Sequence, residues 1–183
     1  MKTLPTSRRN VRAFTMIELM VVVAVIAVVL SVAAPSFTTF LTKKRVDSTM
    51  SELSTDLQFA RSEAVSLNAP VQISFVSSTC YVVHLSSVTA PSTCTTTNML
   101  KTQQLDTGYA ANFSPNNSLS YIKFDPVRGM ATYDGSGTVA SVIVKNSSST
   151  LQLQANVCTM GRVVICSPNG SFNPYTQSCP SAC

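Results

Sequence analysis

Groups that enzymes use for catalysis are scarce in this 183-residue sequence, which has one histidine, His84, and eight carboxylates. A single histidine leaves no Ser–His–Asp arrangement to build, and scattered carboxylates do not suggest an acid–base pair. The sequence also has no glycine-rich loop for phosphate and no C-x-x-C pair for a metal, and it indicates no cofactor. We therefore expect a structural or binding protein rather than an enzyme.

Charged residues are absent from one long stretch, residues 19–42, and residues 19–34 are almost entirely Val, Ala, Leu, Ile and Met. A helix of roughly 20 apolar residues crosses the hydrocarbon core of a bilayer, so residues 14–42 are expected to form a transmembrane helix. Basic residues before the run hold that flank on the cytoplasmic side and direct the rest of the chain outward. They are Lys2, Arg8, Arg9 and Arg12.

An ordinary secretory signal would place its small residue and cleavage site after the apolar run. Here the small residue, Ala13, precedes the run, so cleavage after it would remove a basic leader, residues 1–13, and keep the helix. Cleavage would also create a new amine at Phe14, one helical turn before Glu18. Because an ionised group at membrane depth needs a partner, we expect this amine, in the same or a neighbouring subunit, to pair with Glu18. The alternative is a Glu18 carboxylate that stays hydrated at the membrane interface.

The segment Ala13–Leu19 resembles the class III signal of type IV prepilins and type II secretion pseudopilins. The resemblance implies that a prepilin peptidase cuts between Ala13 and Phe14 and methylates the Phe14 amine. It also implies that Glu18 guides docking of the subunit into a filament. The family usually has Gly where this chain has Ala13.

Removal of the leader would change the charge balance of the chain. The precursor has 13 basic and 8 acidic residues, and four of the basic ones lie in the leader, so nine against eight remain. The basic isoelectric point is therefore mostly a property of the leader. It gives no general argument for nucleic-acid binding.

Pro35 interrupts the helical pattern and is expected to kink the helix without ending it. Beyond it, residues 43–68 carry apolar side chains at spacings of three and four, which predicts an amphipathic helix that continues into the head. The stripe comprises Val46, Met50, Leu53, Leu57, Ala60, Ala64 and Leu67. It suits either a coiled-coil seam or packing against the chain's own sheet, and we favour packing because three heptads are few.

Residues 69–183 are expected to form a β-rich head with antiparallel hairpins, because short β-branched runs alternate with turn signals. The expected strands are 71–76, 80–85, 119–124, 129–133, 138–145, 151–157 and 162–166. The Ser/Thr-rich stretch 86–97 is expected to be a loop. The fold class is therefore α+β.

All six cysteines lie on the outward side of the apolar run, which favours disulfides. They are Cys80, Cys94, Cys158, Cys166, Cys179 and Cys183. We expect Cys80 to pair with Cys94 across the polar loop, and the other four to pair among themselves in an order that the sequence leaves open. His84 lies in a strand pattern, where a packing or surface role is more common than metal binding.

Three further segments resemble the GspH/FimT group of pseudopilins and minor pilins: Leu57–Val65 with its Ala-Arg-Ser-Glu-Ala run, Ile122–Gly129 and Gly161–Cys166. The resemblance implies the type IV pilin fold, in which a long N-terminal helix carries a C-terminal antiparallel β-sheet head. The apolar half of that helix lies in the membrane or the filament core, and its amphipathic half packs on the head.

The resemblance implies a minor pilin at or near the tip of a type IV pilus, which supports filament assembly and pilus-dependent motility, adhesion and DNA uptake. Its partners would be other pilin subunits, the prepilin peptidase and, before assembly, the inner membrane, with the head in the periplasm. After assembly, the protein would be extracellular. A minor pseudopilin of type II secretion is an alternative with the same leader and helix.

A DNA receptor for uptake is a second alternative, because relatives in the group bind DNA through a C-terminal Gly-Arg-x-Arg motif. Gly161 and Arg162 match this motif, but Val164 stands at the second arginine position. The residues that would contact phosphate are Arg162, Lys123, Arg128 and Lys145. Solvated surface charges on a nearly neutral head are the simpler interpretation.

Overall fold

The computed structural model describes residues 14–94, 97–106, 111–116, 118–135, 139–170, 172–175 and 179. These residues form one long helix, α1 (Met16–Ser66), and nine strands. The strands are β1 (Val71–Ser77), β2 (Cys80–Leu85), β3 (Lys101–Gln104), β4 (Asn112–Pro115), β5 (Tyr121–Phe124), β6 (Ala131–Tyr133), β7 (Ala140–Lys145), β8 (Gln152–Val157) and β9 (Val163–Cys166). The chain divides into two compact units, one that ends at Phe40 and one that begins at Leu41. The expected leader and Cys183 lie outside the described residues.

A threonine caps the first turn of α1. The Thr15 hydroxyl oxygen accepts the backbone N–H of Glu18 at 3.3 Å, which satisfies one of the N–H groups that a helix start leaves free. A Thr followed three residues later by a Glu has the capping-box spacing, and the helix dipole favours a carboxylate in the first turn. Glu18 is therefore favourable at the start of the helix, in addition to the assembly role expected for it.

All residues from 14 to 31 are exposed in the isolated chain, although nearly all of them are apolar. By length and composition, no single helix in the described residues qualifies as a membrane span, but Met16–Ser31 and Ser36–Ser66 do so together as a bent pair. Pro35 lies at the break between these segments, and the side chains of residues 32–35 are not described. The first part of α1 thus exposes an apolar surface, and contact of such a surface with water is unfavourable.

α1 ends in a Schellman motif. The N–H of Asn68 donates to the Val65 carbonyl oxygen at 3.3 Å, and the N–H of Ala69 donates to that of Ala64 at 3.2 Å. Asn68 has a φ of +48°, a left-handed conformation that asparagine adopts more readily than most residues. Pro70 follows, and a proline cannot continue the hydrogen-bond pattern of the helix.

The apolar stripe of α1 packs against the chain's own sheets. Six of its members have no exposed surface and share one buried cluster with strand residues of the head: Val46, Met50, Leu53, Leu57, Ala60 and Ala64. Packing is thus confirmed, and the coiled-coil alternative is wrong because the stripe is already covered within the chain. The expected stripe includes Leu67, but this side chain is 45% exposed because α1 ends at Ser66.

Two antiparallel sheets form the described part of the head. The strand order is β3-β2-β1-β5-β6 in the first sheet and β4-β7-β8-β9 in the second. In β8, Leu153 and Ala155 are buried while Gln152 and Gln154 are partly exposed, as expected for alternating side chains, but Asn156, the next residue on the polar face, is fully buried. The α+β class and the antiparallel hairpins expected from the sequence are confirmed.

Strands β3 and β4 are missing from the sequence-based expectations. Their sequences, Lys-Thr-Gln-Gln and Asn-Phe-Ser-Pro, do not alternate clearly between apolar and polar residues, so periodicity does not reveal them. Each forms at a sheet edge because its backbone pairs with one more apolar neighbour, β3 with β2 and β4 with β7. Pro115 is tolerated in β4 because an edge strand leaves some of its N–H groups unpaired.

Disulfides tie two strands to the loops that follow them. Cys80 in β2 is joined to Cys94 across the polar loop, and Cys166 in β9 is joined to Cys179. Cys158 is also disulfide-bonded, and none of the described cysteines is free. Cross-links of this kind stabilise a small domain by limiting the conformations of its unfolded chain.

Leu53→Ala should lower the free energy of unfolding by about 2–5 kcal/mol, because it opens a cavity under α1. The matched control is Leu67→Ala, which removes the same atoms from an exposed position and should cost less than about 0.5 kcal/mol. Urea unfolding of the full chain in detergent can be followed by the near-ultraviolet circular dichroism of tyrosine, because the chain has no tryptophan. Equal losses in the two variants would contradict the packing described for α1.

Candidate functional site

Three segments that are far apart in sequence meet around the side chain of Arg61. They are Leu57–Val65 in α1, Ile122–Gly129 in β5 and the turn after it, and Gly161–Cys166 leading into β9. The Arg61 Nε–H donates a hydrogen bond to the Gly129 carbonyl oxygen at 3.1 Å. A side chain at Gly161 would collide with that same oxygen and with Arg61 Nε. The segments that carry the resemblance to a known group thus form one site.

The turn after β5 is held by Asp125. One Asp125 carboxylate oxygen accepts the backbone N–H groups of Val127 at 3.1 Å and of Arg128 at 2.9 Å. The N–H of Gly129 donates to the Asp125 carbonyl oxygen at 2.9 Å, and Gly129 closes the turn with a φ of +61°. An aspartate whose side chain accepts the backbone N–H groups of the residues two and three positions later is common in turns. It leaves the side chains of Val127 and Arg128 exposed.

The turn between β8 and β9 lies beside it. The N–H of Gly161 donates to the Cys158 carbonyl oxygen at 2.7 Å, and the N–H of Cys158 donates to the Arg162 carbonyl oxygen at 2.9 Å. Gly161 has a φ of +74°, which a residue with a side chain rarely adopts. Met160 and Arg162, on either side of this glycine, are exposed.

A backbone hydrogen bond joins the two turns. The N–H of Ala131, at the start of β6, donates to the Thr159 carbonyl oxygen at 2.9 Å. Because β6 belongs to the first sheet and the Cys158–Gly161 turn to the second, this bond links the sheets directly. The relative placement of Arg128 and Arg162 is therefore set by main-chain contacts.

Together these elements enclose an open cleft of about 600 Å³, the arginine cleft, lined by Arg61, Arg128, Arg162, Gln58, Ser62 and Val65 together with Gly129, Gly161 and Val163. Arg61 is partly buried, whereas Arg128 and Arg162 are exposed. Among the described residues, no carboxylate lines the cleft or forms an ion pair with the three arginines. The cleft therefore presents several N–H donors and an excess of positive charge.

The arginine cleft includes two of the four basic residues proposed for DNA binding, Arg128 and Arg162. Lys123 lies in β5 and Lys145 lies in β7, and neither lines the cleft. The third arginine, Arg61, is missing from the sequence-based candidates. The sequence contains one signal for it, the Ala-Arg-Ser-Glu-Ala run, which marks the segment but does not show what Arg61 contacts.

A second polar group ties α1 to the first sheet. The buried carboxylate of Asp56 accepts a hydrogen bond from the Tyr81 hydroxyl at 2.8 Å and pairs with Lys101 Nζ at 2.6 Å. Burial raises the pKa of Tyr81, and the adjacent Asp56 charge raises it further. Gln103 Nε2 donates to Glu52 at 3.0 Å. These contacts hold the polar edge strand β3 against the helix, which is a structural role.

His84 also has a structural role. It is fully buried in β2, where its Nδ1 lies 2.9 Å from the Leu85 carbonyl oxygen and its Nε2 lies 3.0 Å from the Ser74 hydroxyl. The carbonyl can only accept, so Nδ1 carries the proton and Nε2 accepts from Ser74. In the part of the chain that the structure describes, no group of His, Cys, Asp and Glu residues could hold a metal ion.

The residues expected to act in processing and assembly lie in the first unit. Phe14 and Glu18 are both exposed, and the Glu18 carboxylate forms no ion pair with another described residue of the chain. Ala13 lies outside the described residues, and so does the bond expected to be cut. The Glu18 carboxylate is thus available for a contact outside the isolated chain.

Two family models match the chain. The model described as the prokaryotic N-terminal methylation motif matches residues 8–34, and the model described as the type II transport protein GspH matches residues 49–176. The second match includes all three segments that meet around Arg61. No curated protein shows a significant match to this sequence.

Two solved structures have a similar fold, both of the type IV minor pilin FimU of Pseudomonas aeruginosa, in space groups P65 and P21. The first is 17% identical to this chain with a TM-score of 0.51, and the alignment covers 72% of this chain and 99% of the FimU chain. For the second, the identity is 16%, the TM-score is 0.54, and the coverage is 75% and 99%. The chain therefore has the α+β fold of a type IV minor pilin.

Gly161→Ala should lower the free energy of unfolding by about 2–4 kcal/mol, because the new methyl group meets the Gly129 carbonyl in addition to the strain of a positive φ. Gly170→Ala is the matched control, since Gly170 has a φ of +62° and open space around it. The control should lose only about 1–2 kcal/mol. Urea unfolding of the full chain measures both values, and equal losses would contradict the close approach of the two turns.

Proposed function

Because this chain belongs to the family of the type II transport protein GspH, we propose that it is a minor pilin that enters a type IV pilus at or near its tip. The fold shared with the type IV minor pilin FimU favours a pilus over type II secretion, and the assembly mechanism rests on one observation above the others. Residues 14–31 are exposed and almost entirely apolar, and they lie within the match to the N-terminal methylation motif. A helix with such a surface needs lipid or other helices around it, and a filament of packed pilin helices supplies them.

In the proposed mechanism, the precursor waits in the inner membrane with its head in the periplasm. A prepilin peptidase removes residues 1–13 and methylates the amine of Phe14. That amine and the Glu18 carboxylate then pair, within one subunit or between neighbours, and set the position of the helix as it moves from lipid into the filament. The mature subunit is extracellular as part of the pilus, where it supports assembly, motility, adhesion or DNA uptake.

The head in this proposal serves as a rigid body that contacts other subunits. The amphipathic part of the helix, residues 43–66, packs its apolar face in the core of the head, whereas residues 14–42 would contact lipid or other helices. Pro35 lies within residues 14–42, at the break between Met16–Ser31 and Ser36–Ser66, where a proline would let the helix bend. Family and fold are those of structural pilin proteins, which agrees with a role in assembly.

The DNA-receptor alternative has less support than assembly. Of the four candidate cations, only Arg128 and Arg162 line one cleft, and Val164 cannot contact phosphate. From Phe14 onward, the chain has nine basic and eight acidic residues, which provides little of the long-range attraction that DNA-binding proteins use.

Glu18→Ala should reduce the amount of the protein in sheared pili by about ten-fold, because a Glu18 carboxylate that pairs with the Phe14 amine of a neighbouring subunit contributes free energy only in the assembled state. The measurement is the ratio of protein in pili to protein in the membrane, by immunoblot. Asp106→Ala removes an exposed carboxylate from the head and should leave this ratio unchanged. An unchanged ratio for the Glu18 variant would contradict the docking mechanism.

Deletion of the gene should reduce surface pili and leave secretion of extracellular enzymes intact. A minor pseudopilin of type II secretion would give the reverse result. Electron microscopy of pili and activity assays of the culture supernatant make the comparison, and re-expression of the full chain controls for effects on neighbouring genes. Lost secretion with normal piliation would replace the proposed function with the type II alternative.

A further inference from the structure

The arginine cleft has a charge that the described part of the chain does not neutralise. Arg61 donates its Nε–H to Gly129, which leaves the N–H groups of its two terminal nitrogens without a described acceptor. Arg128 and Arg162 have no carboxylate partner among the residues that the structure describes. Asp125, which lies close in sequence, already accepts two backbone N–H groups. The cleft is therefore suited to an anionic ligand, and guanidinium groups are suited to a planar carboxylate.

Three exposed apolar side chains belong to the segments that form the arginine cleft, and we call them the apolar rim. It consists of Val65, which lines the cleft, Val127, which precedes Arg128, and Met160, which precedes Gly161. Val127 is 77% exposed, Met160 is 74% exposed and Val65 is 52% exposed. In the described part of the unit that begins at Leu41, these are the three most exposed large aliphatic side chains. Because all three belong to the segments that form the cleft, their exposure indicates a surface that a partner covers.

The chemistry of this surface favours a protein over a nucleic acid. Arginine and methionine are enriched at protein interfaces and lysine is depleted, and the cleft has three arginines and no lysine among its described lining residues. Nucleic-acid binding relies on many cations along a phosphate backbone, whereas Lys123 and Lys145 lie outside the cleft. A phosphate backbone would also leave the apolar rim in water.

The site is held in shape before any partner arrives. Backbone N–H groups donate to Asp125 and fix the turn that carries Arg128, and the Cys158–Gly161 turn fixes the backbone next to Arg162. Arg61 is held by its bond to Gly129. Ordering these groups on binding therefore costs less free energy than ordering a flexible loop.

We propose that the arginine cleft binds a carboxylate-bearing segment of a neighbouring pilin subunit, whose apolar side chains cover the rim. This inference rests on the proposed function, which supplies the neighbouring subunit. The arginines receive the carboxylate, and two further side chains that line the cleft offer hydrogen bonds to the backbone of the same segment. The Gln58 amide can donate or accept, whereas the Ser62 hydroxyl, which donates to the Phe59 carbonyl oxygen at 2.9 Å, can accept. Charge selects an acidic segment, and the rim selects one with apolar residues beside its Asp or Glu.

The central experiment uses the full chain in cells that assemble filaments. Arg128→Ala with Arg162→Ala should lower the amount of the protein in sheared filaments by about ten-fold, the effect of one lost charge-assisted contact. Lys123→Ala with Lys145→Ala is the matched control, because it removes two positive charges outside the cleft, and it should behave like the wild type. Equal membrane levels and unchanged tyrosine circular dichroism establish that each variant is folded.

A pair of conservative substitutions tests whether binding needs the planar shape of the arginine side chains or only their charge. Arg128→Lys with Arg162→Lys keeps both charges but removes the planar fork that holds a carboxylate by two parallel bonds. If the cleft recognises a carboxylate, the lysine pair should incorporate poorly, close to the alanine pair. Incorporation of the lysine pair at the wild-type level would overturn carboxylate recognition.

Photo-crosslinking identifies the occupant. The photoreactive residue p-benzoylphenylalanine in place of Met160 should crosslink to a pilin subunit, through a peptide that contains Asp or Glu beside apolar residues. The adduct should disappear in the arginine-to-alanine background and persist in the lysine-to-alanine control. An adduct that persists without the arginines would overturn the proposal.

Two results distinguish failure of this inference from failure of the proposed function. If the wild type enters filaments and the arginine-to-alanine pair enters equally well, the cleft proposal alone is wrong. If the wild type is absent from filaments, both are wrong. A gel-shift assay of the full chain in detergent provides the nucleic-acid outcome: salt-sensitive binding of duplex DNA that is lost with Arg162→Ala would assign the cleft to DNA instead.

Discussion

The packing of α1 against both sheets is the interaction on which the rest of the head depends. Each sheet has an apolar face that needs a cover, and the helix contributes six side chains without exposed surface to the cluster that the sheets share. A shift of the helix by one residue would displace all six at once. This constraint fixes the register of α1, and the register determines what every other residue on the helix can reach.

Polar contacts follow from that register. Asp56 lies opposite Tyr81 and Lys101, and Arg61 lies opposite the turns that contain Gly129 and Gly161. Both side chains are on the helix, yet one is enclosed in a satisfied network and the other lines an open cleft. The first stabilises the head, whereas the second has bonding capacity left for a ligand. The difference lies in burial and in the number of acceptors nearby.

The sequence predicts the elements in which periodicity is strong. The stripe of α1 and the alternation in β8 are found where the spacing of their apolar residues places them. Strands β3 and β4 escape prediction because their pairing is determined by a neighbouring strand rather than by their own residues. Arg128 and Arg162 can be proposed from motifs, but their convergence on Arg61 depends on a contact across 68 positions of the chain, which no local pattern contains.

The boundary at Leu41 separates the residues that change surroundings on assembly from the buried core of the head. Every described residue of the buried core lies beyond it, from Val46 to Phe172. Exchanging lipid for other helices around residues 14–31 therefore leaves that core unchanged. For the minor pilin proposed above, entry into a filament would then be a change of surroundings for one helix, in which the head is never unfolded.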